Sequence, residues 1–263
     1  MLLLAAFLGL VEGMTEFLPV SSTGHLVLMV DLLGFKAPPG KAFEIVIQLG
    51  SILAVCILYW RRLLKAARGC FTDARERNFV LTIAAGFLPA MIVGAFAYPL
   101  VRRMLDSPTI IAVALIVGGF AILAIENYAK RHFDAPATRL HPLLAFKIGL
   151  FQVVAMIPGV SRSGATIMGA LMLGVERKTA TEFSFFLAIP TMFGAATYSI
   201  YKNRDVLSFD DGALIAVGFT TAFLSALIIV KGVIAFVGRH GFAPFAWYRI
   251  AIGALMLGIL FFR

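Results

Sequence analysis

Apolar residues dominate this chain in runs of about 20, each bounded by a short polar or basic segment, and a run of that length is what a helix needs to cross about 30 Å of hydrocarbon. Spans are expected at Phe43–Trp60, Phe79–Tyr98 and Thr109–Tyr128, then at about 180–200, 212–236 and 243–262. Tyr59-Trp60-Arg61-Arg62 closes the first of these with an aromatic and basic signature of the membrane interface. From Arg61 to Asn78 a basic loop is expected, carrying Arg61, Arg62, Lys65, Arg68, Arg75 and Arg77. A second basic loop holds Lys130, Arg131 and Arg139, and Phe35–Lys41, with paired prolines, is a further loop.

Two places break the pattern. Residues 1–18 and 22–33 are apolar pieces on either side of Pro19, and the second is too short to span the bilayer. Residues 142–157 and 163–174 repeat the arrangement around Pro158-Gly159. Each pair predicts a re-entrant hairpin, which membranes tolerate only where protein or a cavity shields the interrupted backbone. At a constant offset of 140 residues, Gly9-Leu10 falls on Gly149-Leu150, Glu12 on Gln152, Val20-Ser21 on Val160-Ser161, Thr23-Gly24 on Ser163-Gly164, and Phe43 on Phe183. One hairpin plus three spans is an odd number of crossings, so the second half must enter the membrane inverted. The expected fold is an all-α polytopic membrane protein, one membrane domain over 1–263. It comprises two inverted-topology repeats, 1–130 with hairpin 1–33 and 141–263 with hairpin 142–174, giving six spans and two hairpins.

Composition agrees. The 263 residues are 60% hydrophobic and 14% charged, against about 25% charged in soluble domains, and the mean hydropathy is +0.94. The net charge of +9 is therefore assigned to cytoplasmic loops and anionic headgroups, not to nucleic acid. Leu2–Leu10 has no basic segment before it, and Glu12 and Glu16 interrupt the region where a signal peptide would be cleaved, so the segment is expected to stay. Cys56 sits in an apolar run and Cys70 in a basic loop, which predicts neither a disulfide nor a metal site there. The basic 61–78 segment is placed in the cytoplasm, together with 129–141, 175–179 and 237–242, so both termini and the mouth of the first hairpin face outward. Arg102-Arg103 and Lys202 with Arg204 run mildly against this orientation.

The polar residues concentrate at the breaks. Glu12 and Glu16 are four apart and share a helix face. Pro19 ends that helix, Ser21, Ser22 and Thr23 are N-cap candidates for the next, and His25 follows Ser22 by three. In the second break Ser161 or Ser163 can cap, Gly164 permits close backbone approach, and Arg162 carries a charge at membrane depth. Arg162 either clamps a phosphate or carboxylate in a two-pronged contact or forms an ion pair with Glu12 or Glu16. If the two tips meet, two helix N-termini, Arg162 and several hydroxyls form an oxyanion cradle. Carboxylates beside a bound anion would repel it unless protonated or bridged by a divalent ion, so Glu12 and Glu16 suggest a cation such as Mg²⁺. A hydroxyl near His25 offers a nucleophile and a proton acceptor. Glu44 and Gln48, and Glu182 and Ser184 in the second half, are expected to bond hairpin backbone sooner than to line a cavity. Lys147 and Arg249 are expected to snorkel or pair with an acid. Gly118-Gly119, Gly169, Gly194 and Gly253 fit close helix packing, a homodimer contact being one use of it.

The stretches EGMTEFLPVSSTGH at 12–25 and PGVSRSGATI at 158–167 closely resemble the two signature motifs of the undecaprenyl-pyrophosphate phosphatases, the bacitracin-resistance proteins. The likeness continues through Phe43–Ser51 and Glu182–Phe185 and covers essentially the whole chain. It implies a bacterial inner-membrane enzyme that removes the terminal phosphate of a polyprenyl pyrophosphate at a site open to the outer face. By the same resemblance Glu12 and Glu16 would hold Mg²⁺ or Ca²⁺ or handle protons, Ser22 and His25 would supply nucleophile and base, and Arg162 would clamp the pyrophosphate. Ser21, Thr23, Ser161, Ser163 and Thr166 would support it by hydrogen bonding. The attacking group is open between Ser22, His25 and a metal-bound water, with Ser22 preferred because a hydroxyl at a helix cap can face the clamp. A secondary transporter or lipid flippase shares the inverted-repeat architecture, and fold alone does not separate it from an enzyme.

Overall fold

The computed structural model describes residues 1–35, 42–133, 136–205 and 211–262. Among them are eleven α-helices: α1 Leu2–Thr15, α2 Ser22–Leu33, α3 Ala42–Leu58, α4 Trp60–Gly69, α5 Ala74–Leu105, α6 Pro108–His132, α7 Pro142–Val154, α8 Arg162–Met172, α9 Arg177–Asn203, α10 Gly212–His240 and α11 Ala243–Phe261. The paired prolines expected in a loop lie at 38 and 39, outside the described residues. Both expected hairpins are present as short helix pairs, α1 with α2 and α7 with α8.

Five helices, α5, α6, α9, α10 and α11, are long and apolar enough to cross a membrane. The sixth expected span differs. α3 is only 17 residues long, and it continues into α4 after a bend of 74°. The segment from Arg61 is therefore not a loop, because nine residues of it, together with Trp60, fold as α4 before the chain turns at Gly69 to Asp73. Its residues alternate with a helical period, and one face packs back on α5 through Arg62 and Lys65, both paired with Glu76. α5 in turn is longer than expected, running from Ala74 through Pro89 and Pro99 to Leu105.

Small residues let the helices approach. A Cβ on Gly9 of α1 would overlap the Gly218 carbonyl of α10, and one on Gly149 of α7 would overlap the Gly86 carbonyl of α5. Gly119 and Gly253 do the same between α6 and α11, so these expected packing glycines act within the chain. At one end of the molecule the buried Glu126 accepts from the Phe242 N–H (3.0 Å) and pairs with Arg177 (3.0 Å) and Lys130 (3.5 Å), joining α6, α9 and α11. Cys56 and Cys70 are both free thiols.

Candidate active site

The two hairpin breaks are built alike. α1 stops at Thr15, a turn passes through Pro19, and Ser21 then takes φ +68° as the N-cap of α2. Ser161 takes φ +70° as the N-cap of α8. Such backbone angles cost a residue with a side chain about 1–3 kcal/mol. Local hydrogen bonds offset the cost. Ser21 Oγ accepts the Gly24 N–H at 3.4 Å, and Ser161 Oγ accepts the Gly164 N–H at 3.1 Å. The Ser21 carbonyl also accepts from the His25 N–H (3.3 Å) and from His25 Nδ1 (2.8 Å). Of the candidate caps, then, Ser21 and Ser161 cap, which leaves Ser22, Thr23 and Arg162 at the heads of their helices, where backbone N–H groups have no intrahelical partner.

The breaks are held against each other. Ser163 Oγ donates to the Leu18 carbonyl at 2.7 Å and lies 3.1 Å from Ser161 Oγ. Behind them sits Arg249, only 1% exposed. Its Nε donates to Leu115 O (2.9 Å), Nη1 to Pro19 O (3.1 Å), and Nη2 to Ala114 O (3.1 Å) and Gly159 O (2.9 Å), with Val160 O at 3.3 Å. Arg249 therefore neither snorkels nor pairs with an acid, as its sequence position suggested. It takes up carbonyls that the two breaks leave without an intrahelical partner and adds a second donor to two mid-helix carbonyls of α6, and Gly118 has no Cβ because the guanidinium fills that space.

In front of this staple lies the polar cluster. Glu16 sits at the C-terminal end of α1, where the helix dipole disfavours a carboxylate. A cation answers it: Arg162 Nη2 lies 2.9 Å from Glu16 Oε1. Of the expected partners for Arg162, the ion pair is thus formed with Glu16. Ser22 Oγ donates to the other oxygen, Oε2, at 2.5 Å. Arg162 Nη1 donates to Ser184 O at 3.0 Å, while its buried Nε has no hydrogen-bond partner among the described residues. Thr166 Oγ1 meets Ser184 Oγ at 2.7 Å and lies 3.0 Å from Arg162 O, so Ser184 braces the second hairpin through the Thr166 side chain and not through hairpin backbone as expected. His25 is turned elsewhere. Its Nε2 lies 2.9 Å from the Tyr248 hydroxyl, and the two rings stack at 5.5 Å.

A cavity of about 540 Å³ opens on this cluster. Glu16, Ser21, Ser22, Thr23, Ser161 and Arg162 line its polar end, joined by Gln48 and Gln152. Glu12, His25, Ser163 and Thr166 lie behind that wall. Gln48 lines the cavity, against the expectation that it would bond hairpin backbone. Beyond the polar end the walls are apolar, from Phe87 and Met91 of α5 and Met192 and Ala195 of α9, out to Tyr98 and Tyr198. Those tyrosines stand near the C-terminal ends of α5 and α9, remote from the Glu126 cluster that gathers the start of α9.

Tyr248, Arg249 and Thr191, whose hydroxyl lies 3.3 Å from Gln152 Oε1, were invisible as site residues in the sequence. Only Gln152 carried a signal, because the repeat offset lays it on Glu12. Among the described residues no three His, Cys, Asp or Glu side chains gather to hold a metal. Two carboxylates do fit Mg²⁺ or Ca²⁺ when phosphate oxygens complete the shell, and the buried Glu12 Oε1 has no hydrogen-bond partner.

Fold and site together define a multi-pass membrane protein with a cavity whose polar end is built from the two helix breaks. The chain belongs to the bacitracin resistance protein BacA family, whose pattern it matches over residues 5–255. It is 56% identical over 259 residues to undecaprenyl-diphosphatase 2 of Paramagnetospirillum magneticum, covering 98% of this chain and 99% of that protein. It is 57% identical over 248 residues to the undecaprenyl-diphosphatase of Sphingopyxis alaskensis, with coverage of 94% and 93%. Undecaprenyl-diphosphatase 1 of Agrobacterium fabrum is 53% identical over 254 residues, with coverage of 96% and 94%.

Proposed function

We propose that this protein is a membrane phosphatase that converts undecaprenyl pyrophosphate to undecaprenyl phosphate and inorganic phosphate, recycling the lipid carrier of peptidoglycan synthesis and conferring resistance to bacitracin. One observation carries the reading: a hydroxyl hydrogen-bonded to a carboxylate and a guanidinium with a spare donor stand at the polar end of a cavity whose other walls are apolar. The pyrophosphate occupies the polar end and the first isoprene units lie along α5 and α9.

Arg162 holds the terminal phosphate while remaining on Glu16, and the free N–H groups at the heads of α2 and α8 donate to its oxygens. Ser22 Oγ attacks the terminal phosphorus as its proton passes to Glu16 Oε2. The new O–P bond forms as the bridging P–O bond breaks, and undecaprenyl phosphate leaves. Water then attacks the phosphoserine phosphorus, the Oγ–P bond breaks, and Glu16 returns its proton to Ser22 Oγ, releasing inorganic phosphate and restoring the hydroxyl. Glu12 and Glu16 would hold the divalent cation, which when bound neutralises phosphate charge. His25, pinned between Ser21 O and Tyr248, fixes the first turn of α2 on which Ser22 stands.

The two halves, 1–130 and 141–263, are taken as inverted repeats. The exchange of partners supports this, since α1 packs on α10 as α7 packs on α5, with Gly9 on Gly218 and Gly149 on Gly86. The basic end is taken as cytoplasmic and the cavity as opening outward, with both termini outside, because the far end of the cavity lies at the opposite ends of α5 and α9.

The test is release of inorganic phosphate from undecaprenyl pyrophosphate by the pure protein in detergent, where no sealed compartment exists. Ser22→Ala, Glu16→Ala and Arg162→Ala are each expected to abolish release while the protein still melts cooperatively, the last two at a lower midpoint because each leaves one partner of a buried ion pair alone. Full activity in all three would remove the site assignment. Absence of release from the native protein in detergent would favour a transporter.

A further inference from the structure

Outside the cavity, the described residues contain a second patch that the site chemistry leaves unused. α4 leaves the apolar helix α3 at 74°, so the two stand nearly at right angles. Its side chains sort into three stripes. Leu63, Ala66 and Gly69 face the protein, with Arg62 on Glu76. Trp60, Leu64 and, in the turn beyond the helix, Phe71 form an apolar stripe at 54%, 37% and 90% exposure. Arg61, Lys65 and Arg68 form a cationic stripe about 100° further round and, with Gly69 and Thr72, line a shallow groove whose floor also holds the carboxylates of Asp73 and Glu76.

Lys65 and Arg62 are tied to Glu76, and Asp73 is occupied in capping α5 through the Arg75 N–H at 2.8 Å. Arg61 stacks over Trp60 at 5.6 Å, and neither it nor Arg68 has an acidic partner among the described residues. A stripe of aromatic and leucine side chains beside a cationic stripe with two arginines left over is complementary to one surface, an acyl boundary beside phosphate headgroups.

We infer that α4 is an interfacial helix with a binding groove for anionic phospholipid. Trp60, Leu64 and Phe71 sink into the acyl boundary, and Arg61 and Arg68 grip the headgroup phosphate. The helix thereby anchors the end of α3, which at 17 residues is short for a span, at the level of the headgroups. This goes beyond the phosphatase site and does not depend on it.

The test uses the full chain in detergent with Trp247→Phe, leaving Trp60 as the sole tryptophan, titrated with brominated phosphatidylglycerol or brominated phosphatidylcholine. Quenching of Trp60 is expected to half-saturate at an about 30-fold lower concentration of the anionic lipid, from about a fivefold gain per free cation. Arg68→Gln should cut that preference to about fivefold, and Arg61→Gln with Arg68→Gln should abolish it, as should high salt. Equal quenching by both lipids, or a preference that survives both substitutions, would overturn the inference. Displacement by inorganic phosphate at the concentration of the lipid would do so too, since the groove would then be a free-oxyanion site.

Discussion

Ser22 and Glu16 meet because a turn of five residues folds the start of α2 back over the end of α1. That contact decides what each residue can do. Ser22 donates to a carboxylate whose other oxygen is held by Arg162, so losing either the acceptor or the clamp should be felt in the chemical step. Glu16→Gln is expected to lower kcat by at least about 100-fold, the scale of a lost proton acceptor, with phosphate release as the readout. Arg162→Lys keeps the charge but not the fork, and kcat/KM should fall by roughly tenfold or more. Arg249 belongs to the same scale but to a different kind of residue. Arg249→Met leaves five carbonyls without a charged donor, and a loss of at least about 3 kcal/mol is expected. In a thermal melt this corresponds to a midpoint lower by roughly 10 °C. The acids, the hydroxyls and Arg162 were legible in the sequence because polar residues in apolar surroundings need a reason. Arg249 was not, since a single arginine in an apolar helix gives no indication that its partners are carbonyls from three distant segments.

Among the elements, the hairpins were the most legible, because Pro19 and Pro158-Gly159 interrupt apolar runs where nothing else explains a break. Their mates were not legible. α1 lies on α10 and α7 on α5 at distances that only glycine allows. Gly9→Val and Gly149→Val should therefore each separate a hairpin from its supporting helix, costing about 1–3 kcal/mol or more from overpacking and lowering both the melting midpoint and phosphate release. α4 shows the opposite error. Its cations suggested a loop when they were counted, but their spacing at Arg61, Lys65 and Arg68 is helical, and the expectation weighed charge above period.

At the scale of the molecule, the basic end and the open end of the cavity lie apart, and the proposal that the basic end is cytoplasmic sets what an orientation test should find. Cys70, in the turn after α4, is expected to react with a membrane-impermeant thiol reagent in inverted vesicles and to stay unmodified in intact cells. A cysteine placed at Ser107, between α5 and α6, should show the reverse. Labelling of both from one side would overturn the arrangement of spans.

Taken alone, the chain's order of residues determined that the protein is helical and membrane-embedded, where its helices break, and which chemical groups sit at the breaks. These properties follow from local composition and spacing, which need no knowledge of neighbours. Tertiary structure alone decided that Ser22 points to Glu16 while His25 turns to Tyr248, that Arg162 pairs with Glu16, and that Arg249 staples both breaks to α6. The physical reason is that a buried polar group must find its partner wherever packing brings one, and in this protein the partners lie up to 230 positions away, as Arg249 and Pro19 do.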